Sequence, residues 1–187
     1  MSDLFVDNIK HQSSQGSGTI TLGASGETIS VPSGATLDLS NATQTGVGGV
    51  MTPAFLAYAS STTSMPTASS VKITLDNEIY DTDSAFASST FTVPIGQAGK
   101  YFFTAALRQG SFTSNRFILQ IRENGTNVKA EMELSGGVSG AMTAVCSTQI
   151  NLSEGDTVEV YGYQDSGSTQ TNITGVSTQF TGFKIIE

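Results

Sequence analysis

The sequence predicts an all-β protein, and three observations lead to that prediction. Apolar and polar residues alternate over short runs, which is the pattern of strands buried on one face. Only 13% of the residues are charged, and much of the remainder is Gly, Ser, Thr and Asn, which suits strands joined by tight turns. No window of useful length has the periodicity of an amphipathic helix. Together these features favour a β-sandwich over a helical architecture.

The charge of the chain argues against nucleic-acid binding. The formal net charge is −8 and the pI is about 4.4, whereas a groove that follows phosphates needs clustered cations. The cations are scattered singly instead, and the same scatter argues against attraction to anionic membranes. They are Lys10, Lys72, Lys100, Arg108, Arg116, Arg122, Lys129 and Lys184.

No targeting segment is predicted. No apolar run approaches the roughly 20 residues that a membrane helix needs. The N-terminal segment Met1–Lys10 lacks the basic start and apolar core of a secretion signal. We therefore expect the protein to be made and assembled in a host cytoplasm.

Three regions differ in composition and in the pattern of their apolar residues: residues 1–17, 18–50 and 51–187. The first contains a short apolar cluster followed by a polar Gln/Ser/Gly stretch. An exposed apolar cluster is unfavourable in water, so it either docks into a partner as an attachment peg or folds back on its own chain. The cluster consists of Leu4, Phe5, Val6 and Ile9.

The second region, 18–50, predicts a β-rich shaft. Three alternating pieces, Ile20/Leu22, Ile29/Val31 and Leu37/Leu39, each end in a turn signal and look like degenerate repeats. Each piece supplies only two inward residues, too few for a core within one chain. Three intertwined chains would bury all three faces, and a similar pattern occurs in the stalks of tailed-phage fibres. Thr45–Gly49 then predicts a flexible joint.

The third region, 51–187, predicts a head made of successive short strands. Glu123-Asn-Gly125 is a type I′ hairpin signal, and Ser153-Glu-Gly-Asp156 is a second turn. Nine strands are predicted between such turns, a number that suits a jelly-roll sandwich. They are Pro53–Ala59, Val71–Leu75, Thr90–Pro94, Tyr101–Arg108, Arg116–Glu123, Lys129–Leu134, Ala141–Leu152, Thr157–Gln164 and Thr178–Ile186.

The order of short motifs in this region resembles a known family. Phe91-Thr-Val-Pro94 precedes Gly99-Lys-Tyr-Phe-Phe103, and the chain closes with Phe180-Thr-Gly-Phe-Lys-Ile185. This series is similar to the globular head of the complement q component, within the tumour-necrosis-factor-like jelly rolls. The resemblance covers most of the chain after Pro53. It implies a homotrimer of ten-stranded jelly rolls, here preceded by a β-rich shaft instead of a collagen stalk.

The resemblance also implies which residues form the trimer interface. Tyr101 and Phe103 are expected on one strand face with Phe102 on the other, and the penultimate strand is expected near the trimer axis. The predicted interface residues are Tyr101, Phe103, Val158, Val160, Tyr161 and Tyr163. The animal members' cysteines and secretion signal are absent, which favours a virion fibre over a secreted immune-type protein.

Catalysis is not predicted. The one histidine, His11, lies in the polar N-terminal stretch, so neither a catalytic triad nor a histidine metal site forms within one chain. Cys146 is interpreted as a small buried strand residue. Three carboxylate pairs remain as glycosidase candidates, although exposed faces and turns explain them as well. The pairs are Glu131/Glu133, Asp81/Asp83 and Glu154/Asp156, and a calcium site at Asp81, Asp83 and Asp165 is left unassigned.

Recognition of a glycan or protein is predicted for three polar loops, 109–115, 135–140 and 165–173. Small hydrogen-bonding residues on a rigid scaffold are typical of binding loops. Phe112 either stacks on a sugar ring or fills the trimer seam. The candidate receptor residues are Phe112, Asn115, Asp165, Thr169 and Asn172.

The sequence thus supports a structural virion protein without catalysis or cofactors. The leading hypothesis is a homotrimeric phage tail fibre whose N-terminus docks to other virion proteins and whose head faces the host surface. A head decoration or capsid fibre on the shell is the second hypothesis. A soluble carbohydrate-binding module is the third.

Overall fold

The computed structural model describes residues 30–31, 33–36, 51–110, 116–136 and 140–185. The chain divides into two compact units, Met1–Val47 and Gly48–Glu187. In the first unit Ser33 and Gly34 form a turn where the sequence predicts one, and Val31 is exposed. The attachment cluster and most of the predicted shaft lie outside the described residues and stay predictions.

The described part of the second unit is built from β-strands and their connections, without a helix. Thirteen strands follow one another, and ten of them have three residues or more, the number that the resemblance implies. They are β1 Ala54–Ala59, β2 Ser64–Met65, β3 Ser69–Lys72, β4 Asn77–Asp81, β5 Phe86–Ala87, β6 Thr90–Thr92, β7 Gly99–Gln109, β8 Arg116–Glu123, β9 Asn127–Ser135, β10 Met142–Leu152, β11 Thr157–Gln164, β12 Gln170–Thr171 and β13 Gly175–Lys184.

The strands form two antiparallel sheets that enclose one core. The first sheet has the order β10-β7-β13-β1-β4, and the second has the order β5-β6-β11-β8-β9 with β3 paired to β11. The short strands β2 and β12 pair separately. The prediction of an all-β sandwich is therefore confirmed.

The predicted strands β8 and β11 match the structure to the residue. The predicted strand Val71–Leu75 is displaced, because β3 begins at Ser69 and ends at Lys72. The backbone N–H of Thr74 donates to the hydroxyl of Thr63, and that of Leu75 donates to Ser89. Side chains thus take the hydrogen bonds that a neighbouring strand would otherwise accept.

An aromatic cluster joins the two sheets. The Phe55 ring of β1 stacks on Phe86 at 4.7 Å and on Phe91 at 5.2 Å, both from the second sheet. Phe103 and Phe180, from the first sheet, stack at 5.6 Å. Full burial of each ring contributes about 1.5–3 kcal/mol, and each aromatic pair adds about 0.5–1.5 kcal/mol. This cluster explains why the Phe-rich motifs recur along the sequence.

Two glycines leave room for neighbouring side chains inside the core. A Cβ atom at Gly182 would lie 2.6 Å from Cε1 of Phe103, so the closing Phe-x-Gly-Phe motif needs glycine there. A Cβ atom at Gly162 would lie 2.9 Å from the side-chain ends of Ile73 and Leu107. Both contacts are far inside van der Waals distance, so the missing side chains are part of the packing.

Cross-strand pairing defines the two ends of the sandwich. Ala54 pairs with Phe183 at the end where the chain enters β1, which we call the base. Ala59 pairs with Gly175 at the opposite end, which we call the crown. At the crown β7 and β9 end, β8 and β10 begin, and the connection 165–174 leaves β11, whereas the base carries the tight turns 124–126 and 153–156.

The turn at the base that joins β8 to β9 shows how sequence fixes the hairpin. Asn124 and Gly125 have φ values of 50° and 74°, the left-handed conformations that a type I′ turn requires at both central residues. The predicted Asn-Gly hairpin is therefore confirmed.

Candidate interaction surfaces

The outward side of the first sheet carries no charged residue over three consecutive cross-strand rows. Paired residues of antiparallel strands point to the same side, so the register identifies each row. We call this surface the charge-free face. Its fourteen residues are Ala54, Phe183, Phe102 and Gln149; Tyr80, Leu56, Thr181, Thr104 and Ser147; and Asn77, Tyr58, Gln179, Ala106 and Val145.

Large apolar side chains on the charge-free face are in contact with solvent. Phe102 and Phe183 pair at 5.5 Å, and both are only partly buried, as are Leu56 and Tyr58. Tyr80 at the edge is 46% exposed. The side of an antiparallel sheet that faces water ordinarily carries polar and charged residues. A surface that is poor in charged residues and rich in aromatic residues is instead typical of the centre of a protein interface.

A second apolar surface lies at the neighbouring edge of the sandwich, where β9 and β10 pack side by side. Met132 is 39% exposed there, and Val145, which belongs to the outermost strand of the charge-free face, is 50% exposed. Met132 and Val145 line a cleft of about 450 Å³ together with Ala130, Cys146 and Ser147, and the charged residues Lys129 and Glu131 border it. We call this surface the apolar edge.

Cys146 is buried in β10, as the sequence predicts. Burial raises the pKa of its thiol to about 11, with a smaller contribution from the charge of Glu131. A protonated thiol is a poor nucleophile, so Cys146 contributes packing at the apolar edge.

The outward side of the second sheet is different, because it carries five charges among twelve paired residues. We call it the charged face. Lys72 forms an ion pair with Glu159 at 3.0 Å, and both also contact the hydroxyl of Thr90. The twelve residues are Thr90, Glu159, Arg122 and Val128; Lys72, Tyr161, Gln120 and Glu131; and Ser70, Tyr163, Ile118 and Glu133.

Arginines cover the two tyrosines of the charged face. The guanidinium carbon of Arg122 lies 4.1 Å from the ring centre of Tyr161, and that of Arg116 lies 5.3 Å from the centre of Tyr163. Arg116 also pairs with Asp165 at 3.0 Å. Cation–π contacts of this kind stabilise partly exposed rings by about 0.5–1 kcal/mol.

The structure corrects four of the six predicted trimer-interface residues. Tyr101, Phe103, Val158 and Val160 are at most 1% exposed within one chain, so their side chains lie in the core and cannot contact a second chain. The prediction placed the wrong side of the strand at the interface. Phe102 alternates with Tyr101 and Phe103, as predicted, and it is Phe102 that points outward.

The remaining two predicted interface residues, Tyr161 and Tyr163, lie half-buried on the charged face. Sequence reasoning missed the charge-free face, whose members Leu56, Phe102 and Phe183 alternate with buried residues along their strands. The signal that would have found it is the run of outward positions without charge on β1, β7, β10 and β13, which on β7 lies between Lys100 and Arg108.

A buried polar network holds the crown. The side-chain amide of Gln164, fully buried, donates to the carbonyls of Met65 and Ser168, both at 2.8 Å, and accepts from the N–H of Ser166 at 2.7 Å. The amide oxygen of Asn172 accepts from the N–H of Thr63 at 2.5 Å. The loop that follows β11 is thereby tied to the short strand β2.

The candidate receptor residues of the crown differ in burial and in their partners. Asn172 is 2% exposed and serves the fold, so its prediction as a receptor contact is wrong. Asp165 is bound to Arg116, whereas Thr169 is exposed at the crown. Phe112 and Asn115 lie outside the described residues and stay predictions.

The candidate carboxylate pairs have structural roles or open surroundings. The carboxylate of Asp81 accepts from the N–H groups of Ala85 and Phe86, which is the turn interpretation. Asp156 accepts from Asn124 and Ser153, which ties two turns at the base together. Hydrogen bonds from Asn124 and Ser153 lower the pKa of Asp156.

Glu131 and Glu133 both lie exposed on the charged face and do not flank a common cleft. Asp81 lies at the base and Asp165 at the crown, so the structure does not bring these two candidate calcium ligands together. Within the described ranges, no group of three or more metal-binding side chains is assembled, and no helix is long and apolar enough to cross a membrane.

Solved structures share this arrangement of sheets. No family model matches the sequence, and no curated protein matches it either. The globular domain of zebrafish complement 1qA protein superposes with a TM-score of 0.54 at 17% identity, covering 72% of this chain and 98% of that chain. The fold is a jelly roll of the complement q and tumour-necrosis-factor type.

Two further structures support the same fold. Murine APRIL at pH 5.0 has a TM-score of 0.56 at 11% identity, covering 71% of this chain and 98% of that chain. Eiger TNF from S. frugiperda has a TM-score of 0.53 at 8% identity, covering 72% of this chain and 92% of that chain. Identities this low show the fold and leave function to the surfaces of this chain.

Proposed function

We propose that this protein is a non-catalytic, homotrimeric attachment protein of a virion, most simply a tail fibre. The charge-free face carries the proposal. It combines Phe102, Phe183, Leu56 and Tyr58 in one sheet face without a charge, which is a surface that a second copy of the chain would cover.

The apolar edge suggests how the copies meet. A chain with two different apolar surfaces can assemble head to tail, with the edge of one copy against the face of the next. Such an assembly forms a closed ring when the rotation between neighbouring copies brings the last copy into contact with the first. A ring of three is the number that the resemblance to complement q heads implies. This arrangement moves the trimer contacts from the predicted Tyr161 and Tyr163 to the opposite sheet.

The base-to-crown polarity supports an attachment role. The chain enters β1 at the base, and the three longer connections leave the strands at the crown. The crown loops therefore lie at the end of the head opposite the point where the chain enters β1. Binding residues on loops above a rigid scaffold are a common arrangement for recognition.

The trimer is tested by placing one charge on each outer face. Ala106→Glu puts a carboxylate in the third row of the charge-free face, where burial between copies would be strongly unfavourable. Ser70→Glu is the matched control on the charged face, beside Arg122. We expect the wild type and Ser70→Glu to be trimers by analytical ultracentrifugation at micromolar concentration, and Ala106→Glu to be a folded monomer.

A monomeric wild type, or an unchanged trimer in Ala106→Glu, would contradict the assembly. The virion location needs its own experiment, namely electron microscopy of intact virions carrying a gold-labelled tag on the protein. Label at the tail tip supports the fibre. Label scattered over the shell would instead identify a head decoration, and its absence from virions would leave the binding-module hypothesis.

A further inference from the structure

The tyrosines of the charge-free face differ from the other tyrosines of the chain in the partners of their hydroxyl groups. The hydroxyls of Tyr101, Tyr161 and Tyr163 each form a hydrogen bond within the chain. Those of Tyr58 and Tyr80 form none with another described residue. A tyrosine hydroxyl usually has a hydrogen-bond partner once it is buried. A second copy that covers the charge-free face must therefore supply an acceptor.

The cleft of the apolar edge combines an apolar lining with a polar acceptor. Ala130, Met132 and Val145 supply the lining, and Glu131 borders the opening. The Oε2 atom of Glu131 accepts from the side-chain amide of Gln120, whereas Oε1 accepts from no other described residue. A methionine sulfur makes favourable contacts with aromatic rings, and a carboxylate accepts strong hydrogen bonds from hydroxyl groups. The cleft therefore suits an aromatic ring that carries a hydroxyl.

Rotational symmetry relates the height of the cleft to one row of the charge-free face. A three-fold axis along the strands gathers the three bases at one end, and every residue then keeps its height between base and crown. Val145, which lines the cleft, lies in the third row together with Tyr58. The cleft of one copy consequently meets the third row of its neighbour.

The position within the sheet favours Tyr58 over Tyr80. Tyr58 is partly buried on the inner strand β1, whereas Tyr80 lies in the second row on the edge strand β4 and is 46% exposed. Residues near the centre of an interface contribute most of the binding energy, because the surrounding contacts exclude water from them. Tyr58 is therefore the ring that fits the height, the chemistry and the central position of the contact.

We propose that the ring of Tyr58 occupies the cleft of the neighbouring copy, packed on Met132 and Val145, and that its hydroxyl donates to Glu131. This contact rests on the proposed trimer and fixes its register. It also supplies a partner for a carboxylate that association would otherwise bury without one, which would be unfavourable. The contact occurs three times in the ring, once between each pair of copies.

A double-mutant cycle on the full-length chain tests the contact, with the monomer–trimer equilibrium measured by sedimentation. Tyr58→Phe and Glu131→Ala each remove one partner of the hydrogen bond. Each should weaken association about tenfold per contact, as expected for a hydrogen bond to a charged group. The double variant should be no weaker than either single variant, which is a coupling of about tenfold.

Tyr80→Phe is the matched control, because it removes the other unpaired hydroxyl of the same face. Its effect should multiply with that of Glu131→Ala, without coupling. The contact is overturned if Tyr58→Phe and Glu131→Ala act independently in a protein that is still a trimer, or if Tyr80 couples to Glu131 instead. Both of these outcomes leave the trimer standing. A monomeric wild type overturns the trimer and this contact together.

Discussion

The two outer faces of the sandwich share one core and similar strands, yet one has no charge in fourteen positions and the other has five in twelve. On the charged face, Lys72 pairs with Glu159, and arginines cover the rings of Tyr161 and Tyr163. On the charge-free face, Phe102 and Leu56 meet water without such partners. The difference indicates that the charge-free face, unlike the charged face, is incomplete in a single chain.

The largest expected effect comes from truncating one aromatic side chain on each outer face of the sandwich and comparing the two variants. Phe102→Ser should weaken trimer association by about 2–4 kcal/mol, roughly 30- to 1,000-fold, because a central aromatic dominates an interface. Tyr161→Ser should leave association unchanged and cost about 1 kcal/mol of folding stability through loss of its contact with Arg122. Sedimentation equilibrium and urea unfolding measure the two quantities, and equal effects on association would break the distinction.

The inward sides of the two sheets differ as well. Gly182→Ala forces a methyl group against the rigid ring of Phe103 and should destabilise the head by about 2–3 kcal/mol. Gly162→Ala meets the movable ends of Ile73 and Leu107 and should cost about 1–2 kcal/mol. Thermal unfolding of both variants gives the order, and a less stable Gly162→Ala would show that the second sheet is the stiffer one.

A pH effect is expected at Asp76, which lies between β3 and β4. The hydroxyl of Ser61, with the N–H of Ser60, lowers the pKa of Asp76 from 3.8 to about 2 in the folded protein. Its contribution to stability is therefore fully present above pH 4 and is lost as the pH falls towards 2. Asp76→Asn should flatten the melting temperature between pH 4 and pH 2, and Ser61→Ala should flatten it in part. A wild-type slope in Asp76→Asn would assign the pH dependence to other carboxylates.

The smallest expected effect is that of salt. Raising sodium chloride to molar concentration screens partly exposed pairs such as Lys72–Glu159, so folding stability should fall by about 0.2–1 kcal/mol per pair. Association through a face without charges should not weaken. Sedimentation and urea unfolding at low and high salt check both statements, and a trimer that dissociates at high salt would implicate the charged face instead.

Much of the fold could be predicted because its determinants are local. The alternation of apolar and polar residues predicts the bounds of β8 and β11 to the residue, and the Asn124–Gly125 signal predicts the turn that joins β8 to β9. Alternation says which residues share a side of a strand, but it does not say which side is the core. The resemblance to complement q heads identifies the strand but not its outward side, so it predicts Tyr101 and Phe103 at the interface, although their rings complete the aromatic cluster.

The crown could not be predicted for a different reason. Asn172 resembles a surface residue in a polar loop, yet it satisfies the N–H of Thr63, which lies 109 positions earlier in the chain. Only the fold brings the two together, and a buried N–H without a partner would be costly. The strands β2 and β12, two residues each, depend on the same long-range contacts and leave no pattern of their own.

The division between base and crown has a consequence for how such a chain can vary. Turns at the base are short and tied to one another through Asn124 and Asp156, so an inserted residue there would disturb several strands at once. Connections at the crown begin and end on strands whose register the core already fixes. Insertions there cost little in loop closure. The crown can therefore diversify in length and composition while the sandwich below it stays the same.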